Sequence, residues 1–183
     1  RAKRYSDAIS PLEQALALDP ALPDGQESLG VALLNAGRPS DAIPHLEAAP
    51  KTASVWNNLA LAYERKNDPA NAEKAFAEAI KLDPNLYDAR MNYVALLSAA
   101  SRNEEALAQL AAAARLAPTS VEPHVFRALI LANLGRRTEA AEEAEAAQKL
   151  DAKAANDQFT SALRLKPDAN NLGQFITSMR YSH

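Results

Sequence analysis

A chain of 183 residues with 48% hydrophobic residues and no cysteine can bury a sizeable core, and its lack of thiols excludes disulfides and thiolate metal sites. Its formal net charge of −3, with acidic and basic residues interspersed, lacks the basic footprint of a nucleic-acid-binding protein. No apolar run approaches the length of a membrane span. Because the chain opens at Arg1 within a motif, its localisation stays open.

The chain repeats one helical pattern from its first residues onward. An alanine near the start of each helix is followed four residues later by Leu, Phe or Ala, and three residues after that by another alanine. The leading alanines, separated by 34, 30, 34 and 34 residues, are Ala8, Ala42, Ala72, Ala106 and Ala140. These offsets place the residues on one face of a helix, so the pattern predicts a series of packed amphipathic helices. Pro20, Pro84 and Pro118 predict the ends of three of them.

The stretch 53–86 carries the most complete copy of the pattern. Its characteristic residues are Trp56, Leu59, Ala60, Tyr63, Ala72, Phe76, Ala79 and Pro84. In type and spacing they resemble the tetratricopeptide repeat (TPR), with alanine in place of the usual glycine at Ala60. The resemblance implies an all-α fold, a superhelical stack of antiparallel helix pairs that forms a TPR solenoid.

The repeat spacing divides a predicted single solenoid, 1–183, into six segments. They are a partial repeat at 1–22, repeats at 23–52, 53–86, 87–120 and 121–154, and an irregular remnant with a C-terminal cap at 155–183. Helix pairs are expected near 25–49, 53–82, 87–116 and 121–150. Asp68 and Pro69 are expected to start a second helix, and Gly37 and Gly135 to close first helices in the left-handed conformation.

The tail from Ala155 onward breaks the repeat spacing. It reproduces a second-helix pattern with Ala155, Phe159, Ala162, Leu165 and Pro167, yet about 19 residues of a first helix are missing before it. Either these residues were deleted or the recorded sequence skips them, and a third reading treats the match as accidental. If the chain is continuous, Phe159, Ala162 and Leu165 are expected to pack on the second helix of 121–154 or on another molecule. If residues are unrecorded, Asp168–Met179 is expected to continue or cap that helix.

Motifs of catalysis are not found in the sequence. There is no Gly-rich phosphate loop, no zinc-protease helix motif and no nucleophile elbow, and the three histidines are far apart. We therefore expect a protein that is not an enzyme and that needs no cofactor or metal.

The resemblance implies that first helices line a concave groove that binds peptides. The residues expected there are Glu27, Val31, Asn35, Asn57, Asn58, Leu61, Glu64, Arg65, Asp88, Met91, Asn92, Ala95, Val125, Leu129 and Asn133. Asn58 and Asn92 occupy the same repeat position, and an asparagine ladder can bind an extended peptide backbone because each amide both donates and accepts. The alternative is that these asparagines are polar surface residues without function.

Some members of the family hold a C-terminal carboxylate with basic residues flanking such an asparagine. The corresponding positions here include Glu27, Asp88 and Glu122, whose charge would repel a carboxylate. We therefore do not expect that function. Arg127 also departs from the pattern, since packing residues occupy its place in the neighbouring repeats.

These observations predict a scaffold or adaptor of bacterial type that binds a protein or peptide of unknown identity. One alternative is a structural scaffold that self-associates. Another is an accessory interaction domain of a larger enzyme.

Overall fold

The computed structural model describes residues 2–22, 24–165 and 171–181, and every regular element in these ranges is an α-helix. The helices are α1 (Ala2–Leu18), α2 (Gly25–Asn35), α3 (Pro39–Ala48), α4 (Ala53–Arg65), α5 (Pro69–Leu82), α6 (Tyr87–Ala99), α7 (Asn103–Leu116), α8 (Glu122–Asn133), α9 (Arg137–Leu150), α10 (Ala152–Ala162) and α11 (Asn171–Tyr181). The predicted all-α fold class is confirmed, and two helices lie within each of the four predicted ranges. The packing of the two helices is shown for α2–α3, α4–α5 and α8–α9. In the described part of the chain, no helix has the length and apolar character needed to cross a membrane.

The chain divides into two compact units, Arg1–Leu96 and Leu97–His183, with the boundary inside α6. Unit 1 contains the packed pairs α2–α3 and α4–α5, and α1 packs on α2. Unit 2 contains the pair α8–α9, with α7 against α8 and both α10 and α11 against α9. The continuity of a single solenoid from 1 to 183 stays a prediction.

The turns at residues 37, 67, 101 and 135 share one backbone conformation. Gly37 and Gly135 have φ of 81° and 74°, as predicted, and Asn67 and Ser101 take the same left-handed conformation at φ of 62° and 58°. At each of these turns the amide of the next residue bonds back to the carbonyl five residues earlier, as in Arg38 N to Leu33 O at 2.9 Å. This closure satisfies carbonyls at the helix end and reverses the chain within a few residues.

Side-chain caps fix where several helices begin. The Asp68 carboxylate accepts from Asn71 N at 3.2 Å and Pro69 occupies the first turn, which confirms the predicted start of α5. Asp151 closes α9 and opens α10, since its side chain accepts from Ala154 N at 2.9 Å. A single residue, Asp151, therefore separates α9 from α10.

The tail forms a cap on unit 2. Phe159 of α10 is 2% exposed and packs with residues of α8 and α9, so the expectation that it would pack on the second helix of 121–154 is confirmed. Ala162 and Leu165 are exposed, so they do not pack on α9, and their packing on another molecule stays a prediction. Because α10 ends at Ala162 and Arg164 turns left-handed at φ 52°, Leu165 leaves the helix face.

The second tail helix completes this cap. Leu172 of α11 is buried in the same cluster, and its amide donates to Asn156 Oδ1 at 3.0 Å. Phe175 lies against Phe159 with ring centroids 4.9 Å apart. The predicted continuation at 168–179 falls partly on α11, while Pro167 and Asp168 lie outside the described residues.

Candidate functional site

Three first helices of unit 1 lie side by side and present one surface, which we call the first-helix face. It consists of the outward side chains of α2, α4 and α6 as far as Leu96. Two hydrogen bonds join α2 to α4: Ser54 Oγ donates to Glu27 Oε1 at 3.1 Å, and Arg65 Nη1 donates to Leu34 O at 2.6 Å. The second bond satisfies a carbonyl in the last turn of α2, where a cation is favourable.

An asparagine pair joins α4 to α6. Asn92 Nδ2 donates to Asn57 Oδ1 at 3.1 Å, and Asn57 is 9% exposed. Asn57 therefore connects two helices, and little of its side chain is accessible from the groove. The 34-residue spacing of Asn58 and Asn92 did not predict the hydrogen bond between Asn92 and Asn57. That bond depends on which α4 side chain faces α6.

Asn58 is differently placed. It is partly exposed and makes no side-chain hydrogen bond to any residue that the structure describes. Asn92 is also partly exposed, although one of its amide hydrogens is used by Asn57. Both amides thus lie at the surface with hydrogen-bonding capacity left over, and their role in binding a ligand stays a prediction.

Apolar side chains lie between the polar ones on the first-helix face. Val31, Leu61 and Met91 are partly exposed, and Ala95 is exposed. Leu61 follows Asn58 by three residues on α4, so the two side chains lie next to each other on the helix surface. The arrangement can contact apolar side chains and hydrogen-bond a peptide backbone at the same time.

The first-helix face carries a carboxylate at Glu64. This partly buried carboxylate has neither a hydrogen bond nor an ion pair within the described part of the chain. Burial raises the pKa of Glu64 above its ordinary value, and the neighbouring Arg65 guanidinium lowers it in part. Asp88, on the same face, is exposed to solvent.

The groove residues predicted in unit 2 are placed less favourably. Val125 is 0% exposed and belongs to the core cluster with Phe159, so its assignment to the groove is wrong. The reason is that α10 packs against α8 and covers the side of it that carries Val125. Leu129 is partly buried against the same cluster, whereas Asn133 is exposed.

A charged cluster in unit 2 explains the unusual residue at Arg127. Its Nη1 lies 2.7 Å from Glu143 Oε1, and His124 Nδ1 lies 2.7 Å from Glu143 Oε2. All three side chains are partly buried between α8 and α9, so we interpret them as packing groups. The departure of Arg127 from the repeat pattern was the sequence signal for this cluster, but its partners were not evident. Among the described residues no group of three His, Cys, Asp or Glu side chains could hold a metal ion.

The comparison with protein families identifies the class. A tetratricopeptide-repeat model matches residues 53–86, the same range as the predicted repeat, and a second tetratricopeptide-repeat model matches residues 1–62. Together with the helix pairs described above, these matches show that the chain is a member of the tetratricopeptide-repeat family.

Two curated relatives are similar to part of this chain. The BBSome complex member BBS4 of Bos taurus is 33% identical over 111 residues, which cover 58% of this chain and 21% of the relative. The protein STIP1 homolog of Dictyostelium discoideum is 35% identical over 117 residues, which cover 64% of this chain and 20% of the relative. The chain thus spans about a fifth of the length of these relatives.

Solved structures share the fold. A crystal structure of MamA superimposes with a TM-score of 0.76 at 21% identity, covering 82% of this chain and 91% of MamA. A crystal structure of YrrB, described as a TPR protein with an unusual peptide-binding site, superimposes with a TM-score of 0.71 at 19% identity, covering 89% of this chain and 85% of YrrB. At these identities the likeness concerns the fold.

Proposed function

We propose that this chain is a non-catalytic interaction module that binds an extended peptide segment of a protein partner across the first-helix face of unit 1. The observation that carries the proposal is the surface amide of Asn58, unpaired within the described residues, beside the partly exposed Leu61. The peptide-binding site named for YrrB, a protein of similar fold, supports the same function.

Such a surface can bind a peptide through its backbone, which every sequence shares. The amide of Asn58 can donate to a peptide carbonyl and accept from a peptide amide, while Leu61 and Met91 can cover the apolar side chains between them. Three neighbouring helices held by hydrogen bonds offer a preformed surface, which lowers the ordering cost of binding.

Site-specific cross-linking tests this function. A display library of short random peptides is first panned against the full chain, and enriched peptides are synthesised. A photo-reactive amino acid at Leu61 should then cross-link to these peptides, whereas the same group at the exposed Ala77 of α5 should not. Equal cross-linking at both positions, or none at Leu61, would remove the first-helix face as the binding surface.

Self-association is the second candidate function. The observation that favours it is a pair of exposed leucines just after α10, Leu163 and Leu165, which are 46% and 44% exposed. Light scattering of the full chain over a range of concentrations tests it. A mass that increases with concentration, and that falls in a Leu163→Ser and Leu165→Ser variant, supports self-association, whereas a constant monomer mass excludes it.

A further inference from the structure

We propose that the peptide segment bound on the first-helix face is basic, and that one of its Lys or Arg side chains forms an ion pair with the carboxylate of Glu64. The inference rests on the proposed function, since it names the chemistry of the ligand for the same surface.

The position of Glu64 on α4 is the first argument. It follows Asn57 by seven residues and Leu61 by three, so these side chains form a single stripe along the helix. Asn57 contacts α6 through Asn92, which places this stripe on the side of α4 that faces α6. A peptide that covers Leu61 would therefore pass within reach of Glu64.

The second argument is that no described cation forms an ion pair or hydrogen bond with Glu64, although the Arg65 guanidinium next to it lowers the pKa of Glu64 in part. Arg65, the next residue, donates from Nη1 to Leu34 O at 2.6 Å. Arg90 of α6 donates from Nε and Nη2 to Pro84 O at 3.0 and 2.7 Å. The arginines of α4 and α6 in unit 1 thus bind main-chain carbonyls, and Glu64 makes no ion pair among the described residues.

The third argument is the charge of the surroundings. Glu27 and Asp88 lie at the first turns of α2 and α6, so the carboxylates of α2, α4 and α6 outnumber the guanidinium groups of Arg65 and Arg90. Fixed negative charge along a binding surface steers a basic segment toward it and disfavours an acidic one.

Burial of Glu64 agrees with this geometry. The pKa of its carboxyl group is raised because burial penalises the charged form. A bound Lys or Arg would compensate the charge of the ionised carboxylate and donate the hydrogen bonds that Glu64 lacks in the free chain.

The test uses the full chain and the peptides enriched from the display library. Each peptide is labelled with a fluorophore and titrated by anisotropy against the wild type, Glu64→Gln and the matched control Glu78→Gln, whose carboxylate lies on α5 and pairs with Lys81. The enriched peptides should carry an excess of Lys and Arg. Glu64→Gln should weaken their binding about three- to tenfold, while Glu78→Gln should leave it unchanged.

A charge swap makes the test specific. Replacing one Lys of the peptide by Glu should weaken binding to the wild type and restore binding to a Glu64→Lys variant. Circular dichroism melts of each variant exclude a loss of folding as the cause.

The outcomes separate this inference from the proposed function. Peptides without an excess of basic residues, or peptides whose affinity Glu64→Gln leaves unchanged while Leu61→Gln abolishes binding, would overturn the inference and leave the binding face in place. If no peptide is enriched, or if neither Leu61→Gln nor Glu64→Gln affects binding, both are contradicted.

Discussion

Gly30 and Ala60 occupy the same place in successive repeats, and they show how closely two paired helices can approach. A Cβ added at Gly30 would lie 2.6 Å from Leu46 Cγ and 3.3 Å from Leu46 N. Leu46 is fully buried, so its side chain has little room to move. In the next pair the equivalent residue is Ala60, which carries this Cβ atom and is fully buried, so that pair has room for it. The pair α2–α3 is therefore the more closely packed at this point.

The first prediction concerns Gly30→Ala. The substitution should lower the free energy of unfolding by about 1–2 kcal/mol, because the clash with Leu46 outweighs the better helix propensity of alanine. Chemical denaturation measures the change, and Ser28→Ala, at an exposed position of α2, serves as the control with a change below about 0.5 kcal/mol. A Gly30→Ala variant as stable as the wild type would show that α2 and α3 separate easily.

The second prediction concerns the stability cost of Glu64. Its pKa in the folded chain lies above the ordinary value of 4.5, so the folded state binds the proton more tightly than the unfolded state. Stability therefore falls as the pH rises through the interval above 4.5, and then remains constant. Glu64→Gln removes this contribution and should raise the free energy of unfolding at neutral pH, with the difference from the wild type disappearing at acidic pH.

Denaturant unfolding of both chains across this pH range is the measurement. Glu78→Gln on α5 provides the control and should give no such gain, because its carboxylate is paired with Lys81. Destabilisation by Glu64→Gln at neutral pH would contradict the assigned environment. A gain in stability together with weaker peptide binding would be the trade-off expected at a functional site.

At the scale of elements, α10 has the sequence pattern of a second helix but the position of a first helix. Its alanine and phenylalanine spacing is that of a second helix, as in α5. It nevertheless packs against α8 and α9, the two helices of the preceding pair, just as the first helix α4 packs against α2 and α3. The apolar stripe of a second helix is thus used to cover the end of a pair, and Phe159 fills the space over Val125.

The third prediction tests this cap. Phe159→Ala should lower the free energy of unfolding of unit 2 by about 3–5 kcal/mol, since the ring is buried with Val125, Ala144 and Leu172. Leu163→Ala, at an exposed position just after α10, should change it by less than about 0.5 kcal/mol. Calorimetry of the full chain measures both. A cost below about 1 kcal/mol for Phe159→Ala would show that α10 contributes little to this core.

At the scale of the whole molecule, the fold follows from the sequence more fully than the site does. The predicted helix bounds, the left-handed turns at Gly37 and Gly135 and the cap at Asp68 agree with the structure because they are set by local chemistry repeated along the chain. Val125 was misassigned because its burial depends on where a distant helix packs. Asn57 was taken as a groove residue because its partner lies 35 residues away on another helix.

The central claim is that a peptide binds on α2, α4 and α6 of unit 1, and amide chemical shifts measure this directly. The ¹⁵N-labelled full chain is titrated with an enriched peptide, and shift changes are mapped residue by residue. The account predicts changes concentrated at Asn58, Leu61, Glu64 and Asn92. Changes concentrated on the second helices α3 and α5, or within residues 97–183, would contradict it.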